Sequence, residues 1–163
     1  MAVHNAEAFL MEAVESVLSQ SFGDLELVVI DDGSADASAE ILLGIGDRRL
    51  RVLTNPQNRG LAASLNRGIG VARGSYIARL DADDVCAPDR LRRQVTYLDG
   101  HRNIGIVGSA ARVVGEGAAD GAIWRLPQTS LAVRFASLIR CPFLHPTVLL
   151  RRAAFKPSEL VYN

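Results

Sequence analysis

Tyr76-Ile77-Ala78-Arg79-Leu80-Asp81-Ala82-Asp83-Asp84 is the stretch whose reading decides the fold. A half-apolar, strand-like run from Tyr76 to Leu80 ends in three carboxylates within four residues. Carboxylates this close repel one another, so a stable fold gives them a cation or leaves them in water. A strand delivering acids to its C-terminal edge is the geometry by which open α/β sheets bind ligands. The competing reading is a solvated turn in which Asp84 or a neighbour caps the next helix. A second acidic strand end, Asp31-Asp32-Gly33-Ser34, favours the first reading, because parallel strands bring their C-termini to one edge.

Outward from this stretch, strand and helix alternate. Met1 to Asn5 reads as the end of a strand. Apolar residues recur at helical spacing from Ala6 to Ser21, and Leu25 to Ile30 suits a buried parallel strand. A helix is expected over Ala35 to Leu43, a strand over Arg51 to Thr54, a loop over Asn55 to Gly60, and a helix with Leu61, Leu65, Ile69 and Ala72 inward. After the acidic stretch, Pro88 sits in a first helical turn. Leu91, Val95 and Leu98 face inward, with Arg90, Arg92 and Arg93 largely off that face as a solvated surface or a membrane approach. Ile104 to Val114 reads as a strand, Gly115 to Gly121 as flexible, Leu131 to Ile139 as a helix and Thr147 to Leu150 as a strand. The expectation is an α/β fold with a mainly parallel central sheet and helices on both faces, one domain over 1–163.

Composition narrows the function classes. Hydrophobic residues make up 48% and charged residues 22%, as in an ordinary soluble globule. The formal net charge is zero, so no global field attracts nucleic acid or an anionic membrane. Lys156 is the only lysine, which removes catalytic lysine from most of the chain. It also counts against a phospho-receiver module, which pairs sheet-edge aspartates with a late-strand lysine. No Gly-Lys-Ser/Thr loop exists, so a P-loop ATPase is excluded. Cys86 and Cys141 make neither a disulfide framework nor a metal-knuckle spacing and read as inert small hydrophobes. A reducing cytoplasm is the expected compartment, and no signal peptide opens the chain.

Asp81 and Asp83 are candidates to hold Mg²⁺ or Mn²⁺, hard cations that bind through one or two carboxylates plus substrate phosphates. Asp32 is placed to accept a hydrogen bond from a nucleotide base. Asn58-Arg59-Gly60, opening a helix, offers N–H groups and a positive dipole end to phosphate; a plain capped loop is the equal alternative. His145 faces either the metal or acceptor side, or simply packs beside Pro146.

These motifs, taken in order, resemble family 2 glycosyltransferases. Val29-Ile30-Asp31-Asp32-Gly33-Ser34 looks like the family's nucleotide signature. Asn58, Gly60, Asn66, Gly68 and Gly74, followed by Tyr76 to Asp84, are similar to its next block. Pro88, Arg90-Leu91, Gln94, Ile106 to Ser109 and His145 to Val148 continue it. The likeness is closest to bacterial enzymes of capsular, exopolysaccharide or O-antigen synthesis. It implies the GT-A fold, a divalent metal, a nucleotide-sugar donor (most often UDP-linked), inversion by direct displacement, and a saccharide or lipid-linked acceptor. An address at the inner face of the plasma membrane goes with such an acceptor. The resemblance makes Asp32 the base-binding acid, Asp83 the main metal ligand and Asp81 the first acid of the Asp-x-Asp, near ribose or metal. Asn5 and the main chain around Val3 cradle the base, beside a surface His4.

The chain departs from the family in three places. Ala2 stands where proline is usual, without the apolar residues that precede it. Leu65 replaces an arginine just before Asn66. The acceptor-side acid falls beyond Val161-Tyr162-Asn163, and Glu159 sits too early to take that role. The expectation is therefore a donor-binding portion whose catalytic base lies past Asn163, or a non-catalytic nucleotide-sugar-binding relative.

Overall fold

The computed structural model describes residues 1–115, 121–156 and 161–162. Glu159, Asn163 and most of the glycine-rich 115–121 segment thus lie outside the described residues. The first half is the expected alternation: β1 (Ala2–Val3), α1 (Leu10–Leu18), β2 (Leu27–Asp31), α2 (Ser38–Gly44), β3 (Leu50–Thr54), α3 (Leu61–Val71), β4 (Tyr76–Ala78) and α4 (Arg90–Gly100). β1, β2 and β3 form a parallel sheet in that order, with Val3 opposite Asp31 and Asp31 opposite Thr54. Asp31 and Asn5 therefore leave the sheet at the same edge.

The core explains the alternation. Val3, Leu10, Val14, Val29, Leu42 and Leu80 pack into one buried cluster, the α1 residues at helical spacing and Val3 and Val29 from the sheet. A second cluster joins Leu91 and Leu98 of α4 to Leu149. Cys86 is buried in the first cluster, as read from the sequence; Cys141 is exposed, contrary to that reading.

Several boundaries move for physical reasons. α1 begins at Leu10 rather than Ala6; ahead of it the Ala6 N–H donates to Ser38 Oγ and the Glu7 N–H to Asp36, which ties this turn to the 34–38 loop. α2 begins at Ser38, whose N–H donates to Asp36 Oδ1. Pro88 lies in the turn before α4, whose N-cap is Asp89.

The single strand expected from Ile104 to Val114 is two, β5 (Ile106–Val107) and β6 (Ala111–Arg112). Between them the Ser109 N–H donates to Thr147 Oγ1, and a Cβ on Gly108 would stand 3.0 Å from Phe143. The chain leaves the sheet there to meet the 143–147 segment. β6 pairs with β7 (Ile123–Trp124), and α5 spans Ser130–Ala136. His145–Thr147 is a 3₁₀ turn, so the last strand, β8, is Leu149–Arg151. β8 runs antiparallel between β4 and β5. Among the described residues no helix is long and apolar enough to cross a membrane.

Candidate functional site

The end of β2 is a network centred on Asp32, which is buried at 3% exposure. Its Oδ1 accepts from the Asn55 amide at 2.6 Å and the Arg59 N–H at 3.0 Å, and its Oδ2 accepts from the Gly60 N–H at 2.9 Å. The Asn55 amide also donates to Ser64 Oγ, and Arg67 donates to Asn55 Oδ1. Burial pushes the Asp32 carboxyl up, but the bonds from Asn55, Arg59, Ser64 and Gly60 outweigh it and leave the group below its usual value. For the Asn58-Arg59-Gly60 segment the sequence leaves a phosphate cradle and a plain capped loop as equal alternatives. In the structure its Arg59 and Gly60 N–H groups are turned onto Asp32, so the anion at the start of α3 is the protein's own carboxylate. Asn58 stabilises the turn by accepting from the Gly60 N–H.

Gly33 makes this approach possible. Its φ is +68°, and a Cβ there would lie 2.8–2.9 Å from main-chain atoms of Gln57 and Asn58. Beside it, the Val3 carbonyl accepts from the Asp32 N–H at 2.7 Å, and His4 Nδ1 donates to the Asp32 carbonyl. Asn5 holds φ +51°, accepts from the Ala35 N–H and donates its own N–H to Ser34 Oγ. Val3 and Asn5, singled out from the sequence, are thus joined to the Asp32-Ser34 turn. An open hollow lies alongside, between the Asn5–Phe9 turn and Ala35–Asp36.

The end of β4 carries the acidic trio. Carboxylate oxygens of Asp81, Asp83 and Asp84 lie within 4.8 Å of one another. Burial raises the Asp84 carboxyl, and the charges of Asp81 and Asp83 raise it further. That is the electrostatic state a hard divalent cation relieves, so the donor set fits Mg²⁺ or Mn²⁺. Asp81 is also gripped by Arg79, whose guanidinium meets it at 2.6 and 2.9 Å. Asp83 is exposed.

Arg79 is buried at 7% exposure and was not singled out from the sequence. The signal was present: residues two apart on a strand share a face, so Arg79 and Asp81 were neighbours by period. Arg90 likewise folds inward rather than lying on a solvated face. It donates to the carbonyls of Arg79 and Val148, tying β4 to the chain before β8. Gln94 donates to the Thr147 carbonyl. Arg92 and Arg93 are exposed, as expected of a solvated face, and Arg92 also bonds Ser21 there.

Asn66 and His145 are brought together through a residue that the sequence reading passed over. Asn66 exchanges two hydrogen bonds with the main chain of Tyr162, at 2.7 and 2.8 Å. The Tyr162 ring stands edge-on to His145, centroids 5.2 Å apart. Desolvation lowers the His145 pKa, and Arg79 lowers it further against a smaller opposing effect of Asp81. His145 is therefore within the electrostatic reach of the acidic end of β4.

Comparison with known proteins follows this geometry. The profile described as Glycosyl transferase family 2 matches residues 1–157. The succinoglycan biosynthesis protein ExoO of Rhizobium meliloti is 43% identical over 99 residues, covering 61% of this chain and 28% of that protein. The S. aureus TarS 1-349 complex with UDP-GlcNAc superposes with a TM-score of 0.79 at 23% identity, over 99% of this chain and 47% of that one. The mannosyltransferase PcManGT from Pyrobaculum calidifontis, solved with GDP-Man and Mn2+, gives 0.68 at 21% identity, over 93% and 43%. These two likenesses are of fold, and the fold is GT-A. The chain spans about half the length of the curated relatives it matches end to end, 54% and 56% of two of them.

Proposed function

The chain belongs to glycosyl transferase family 2, and we propose that it forms the donor-binding part of an inverting glycosyltransferase. The donor is a nucleotide-sugar, UDP-linked in the first instance. The acceptor is a saccharide or lipid-linked saccharide of bacterial surface polysaccharide. The observation that carries this reading is the acidic trio at the end of β4, whose oxygens converge within 4.8 Å. Support comes from the UDP-GlcNAc bound in TarS, the GDP-Man and Mn2+ bound in PcManGT, and the succinoglycan role in the name of ExoO.

In this reading Asp83 is the chief ligand of Mn²⁺ or Mg²⁺, with Asp84 beside it. Asp81, restrained by Arg79, faces the ribose or the metal. The metal, when bound, offsets charge on the departing diphosphate. Asp32 serves the base in two ways: it offers a charged acceptor, and it fixes the 55–60 loop that borders it. Val3 and Asn5 complete the rim. Transfer forms a bond from an acceptor hydroxyl oxygen to the anomeric carbon while the bond to diphosphate breaks; the hydroxyl proton goes to a base that no described residue is assigned to supply.

The test is thermal melting with nucleoside mono- and diphosphates, with and without Mn²⁺ or Mg²⁺. UDP with Mn²⁺ is expected to stabilise the chain more than either alone. Failure of every nucleoside diphosphate to shift melting in the presence of metal overturns the reading.

A further inference from the structure

The acidic end of β4 already contains a cation. The Arg79 side chain is 7% exposed and sets one terminal guanidinium nitrogen on each Asp81 oxygen, at 2.6 and 2.9 Å. A carboxylate oxygen of Asp81 lies in turn within 4.8 Å of oxygens of Asp83 and Asp84. The backbone that carries the guanidinium is held on both sides: the Arg79 N–H donates to the Val148 carbonyl, and the Arg79 carbonyl accepts from Arg90. The Arg79 Nε is buried as well and meets no acceptor among the described residues. A buried charge with one donor unmet costs free energy that an apolar side chain in the same place would not. Packing therefore does not account for an arginine here, whereas its charge, set against three acids, does.

We infer that Arg79 is the resident counter-cation of the trio: it turns away a bare divalent metal and admits one that arrives with the diphosphate of a nucleotide. Three free carboxylates attract a hard divalent cation by themselves. With Arg79 on Asp81 that pair is neutral, and two acids face the ligand with a positive charge behind them. At a few ångström and surface-like screening, repulsion between that charge and a divalent cation corresponds to about tenfold or more in affinity. A metal held by a nucleoside diphosphate is different, because the phosphate oxygens offset its charge and the complex carries no net positive charge for the guanidinium to repel. The second half of the inference rests on the nucleotide-donor reading above; the first half, that Arg79 opposes the bare metal, does not.

The test is Mn²⁺ binding, followed through the electron paramagnetic resonance signal of free Mn²⁺, in the 163-residue chain and three variants. Arg79→Gln removes the charge and keeps a hydrogen-bond donor for Asp81. It should bind Mn²⁺ alone about tenfold more tightly than the parent, a direction that structural damage does not produce. Arg93→Gln removes the same charge from the exposed face of α4 and should leave the affinity within about twofold of the parent. Arg79→Gln combined with Asp81→Asn replaces the ion pair by a neutral hydrogen-bonded pair and should return the affinity to that of the parent. The double variant strands no charge, so it decides the matter even where the single variant does not fold. With UDP present the gain of Arg79→Gln should vanish. Three results overturn the inference. The first is Arg79→Gln binding bare Mn²⁺ no more tightly than the parent. The second is the double variant binding it about tenfold more weakly than the parent, which would make Asp81 a metal ligand in its own right. The third is an equal gain of Arg79→Gln for Mn²⁺ with and without UDP. Failure of every chain to bind UDP would overturn the donor reading instead, and the comparison on bare Mn²⁺ would still decide the role of Arg79.

Discussion

Arg79 closes on Asp81 with two guanidinium contacts, at 2.6 and 2.9 Å, while Asp83, two residues further on, has no ion pair among the described residues. One acid of the trio is thus committed to the protein and the other is free for a ligand. Asp83→Asn should leave the melting temperature within error of the parent and abolish the Mn²⁺-dependent part of nucleotide binding. Asp81→Asn should instead cost about 1–3 kcal/mol of stability, because it strands a buried guanidinium beside a half-weight partner. Chemical denaturation together with calorimetric Mn²⁺ titration separates the two. Equal stability losses in both variants would show that the trio is one structural unit.

Asp32 gives a second contrast. Its carboxylate holds Asn55 and the N–H groups of Arg59 and Gly60. Asp32→Ala should therefore destabilise the chain by about 2–4 kcal/mol, since charged hydrogen bonds are worth about 1.5–3 each and loop donors are left unmet. It should weaken UMP and UDP alike, because the contact and the loop serve the base side. The sign of the pH effect follows from the lowered carboxyl. The unfolded chain binds the proton more readily, so the Asp32 contribution is complete above the ordinary carboxylate range and is lost as pH falls through the folded value. Asp32→Asn should flatten that acid limb. A loss confined to UDP would move Asp32 to the diphosphate.

What could be read in the sequence follows from locality. The β2 and β4 strands and their acidic ends are written in contiguous residues, so their existence and chemistry were legible. The partners of Asp32 were not: Gly60 is 28 residues away, and nothing local says that the α3 N-terminus turns to a carboxylate rather than to a phosphate. Nor does a three-residue apolar strand announce its direction, which is why β8 entering antiparallel between β4 and β5 had no signature. Arg90 read as surface because helical period alone placed it off the apolar stripe. Its long stem lets the guanidinium reach back to two carbonyls.

Gly33 tests the close approach directly. A Cβ would meet main-chain atoms at 2.8–2.9 Å from a residue at φ +68°. Backbone cannot swing aside as a side chain does, so Gly33→Ala should cost about 2–4 kcal/mol, the positive φ alone accounting for about 1–2. Urea denaturation gives the number. A loss below that of an ordinary surface substitution would mean that the 57–58 segment yields freely.

Asn66 is the residue for which two roles predict different measurements. Its place in the motif block that resembles family 2 glycosyltransferases implies a substrate-binding role, a contact to the donor. The structure has it exchanging two hydrogen bonds with the Tyr162 main chain, which holds the Tyr162 ring against His145. If that latch is its work, Asn66→Ala releases the ring and rehydrates the imidazole. Desolvation is the leading cause of the lowered His145 pKa, so the value should move up toward 6.5 in the variant. Tyr162→Ala should move it the same way, and combining the two should add little, since both remove one contact. Proton chemical shifts of the three histidines across pH 5–8 read this without nucleotide; His4 and His101 serve as internal references. A donor contact predicts the reverse pattern: His145 unmoved, and UDP affinity reduced by Asn66→Ala but not by Tyr162→Ala. Asn66→Ala removes two hydrogen bonds from a partly buried site, at about 1–2 kcal/mol, and Tyr162→Ala keeps those main-chain groups and loses only the ring contact, so both leave the chain folded for the titration.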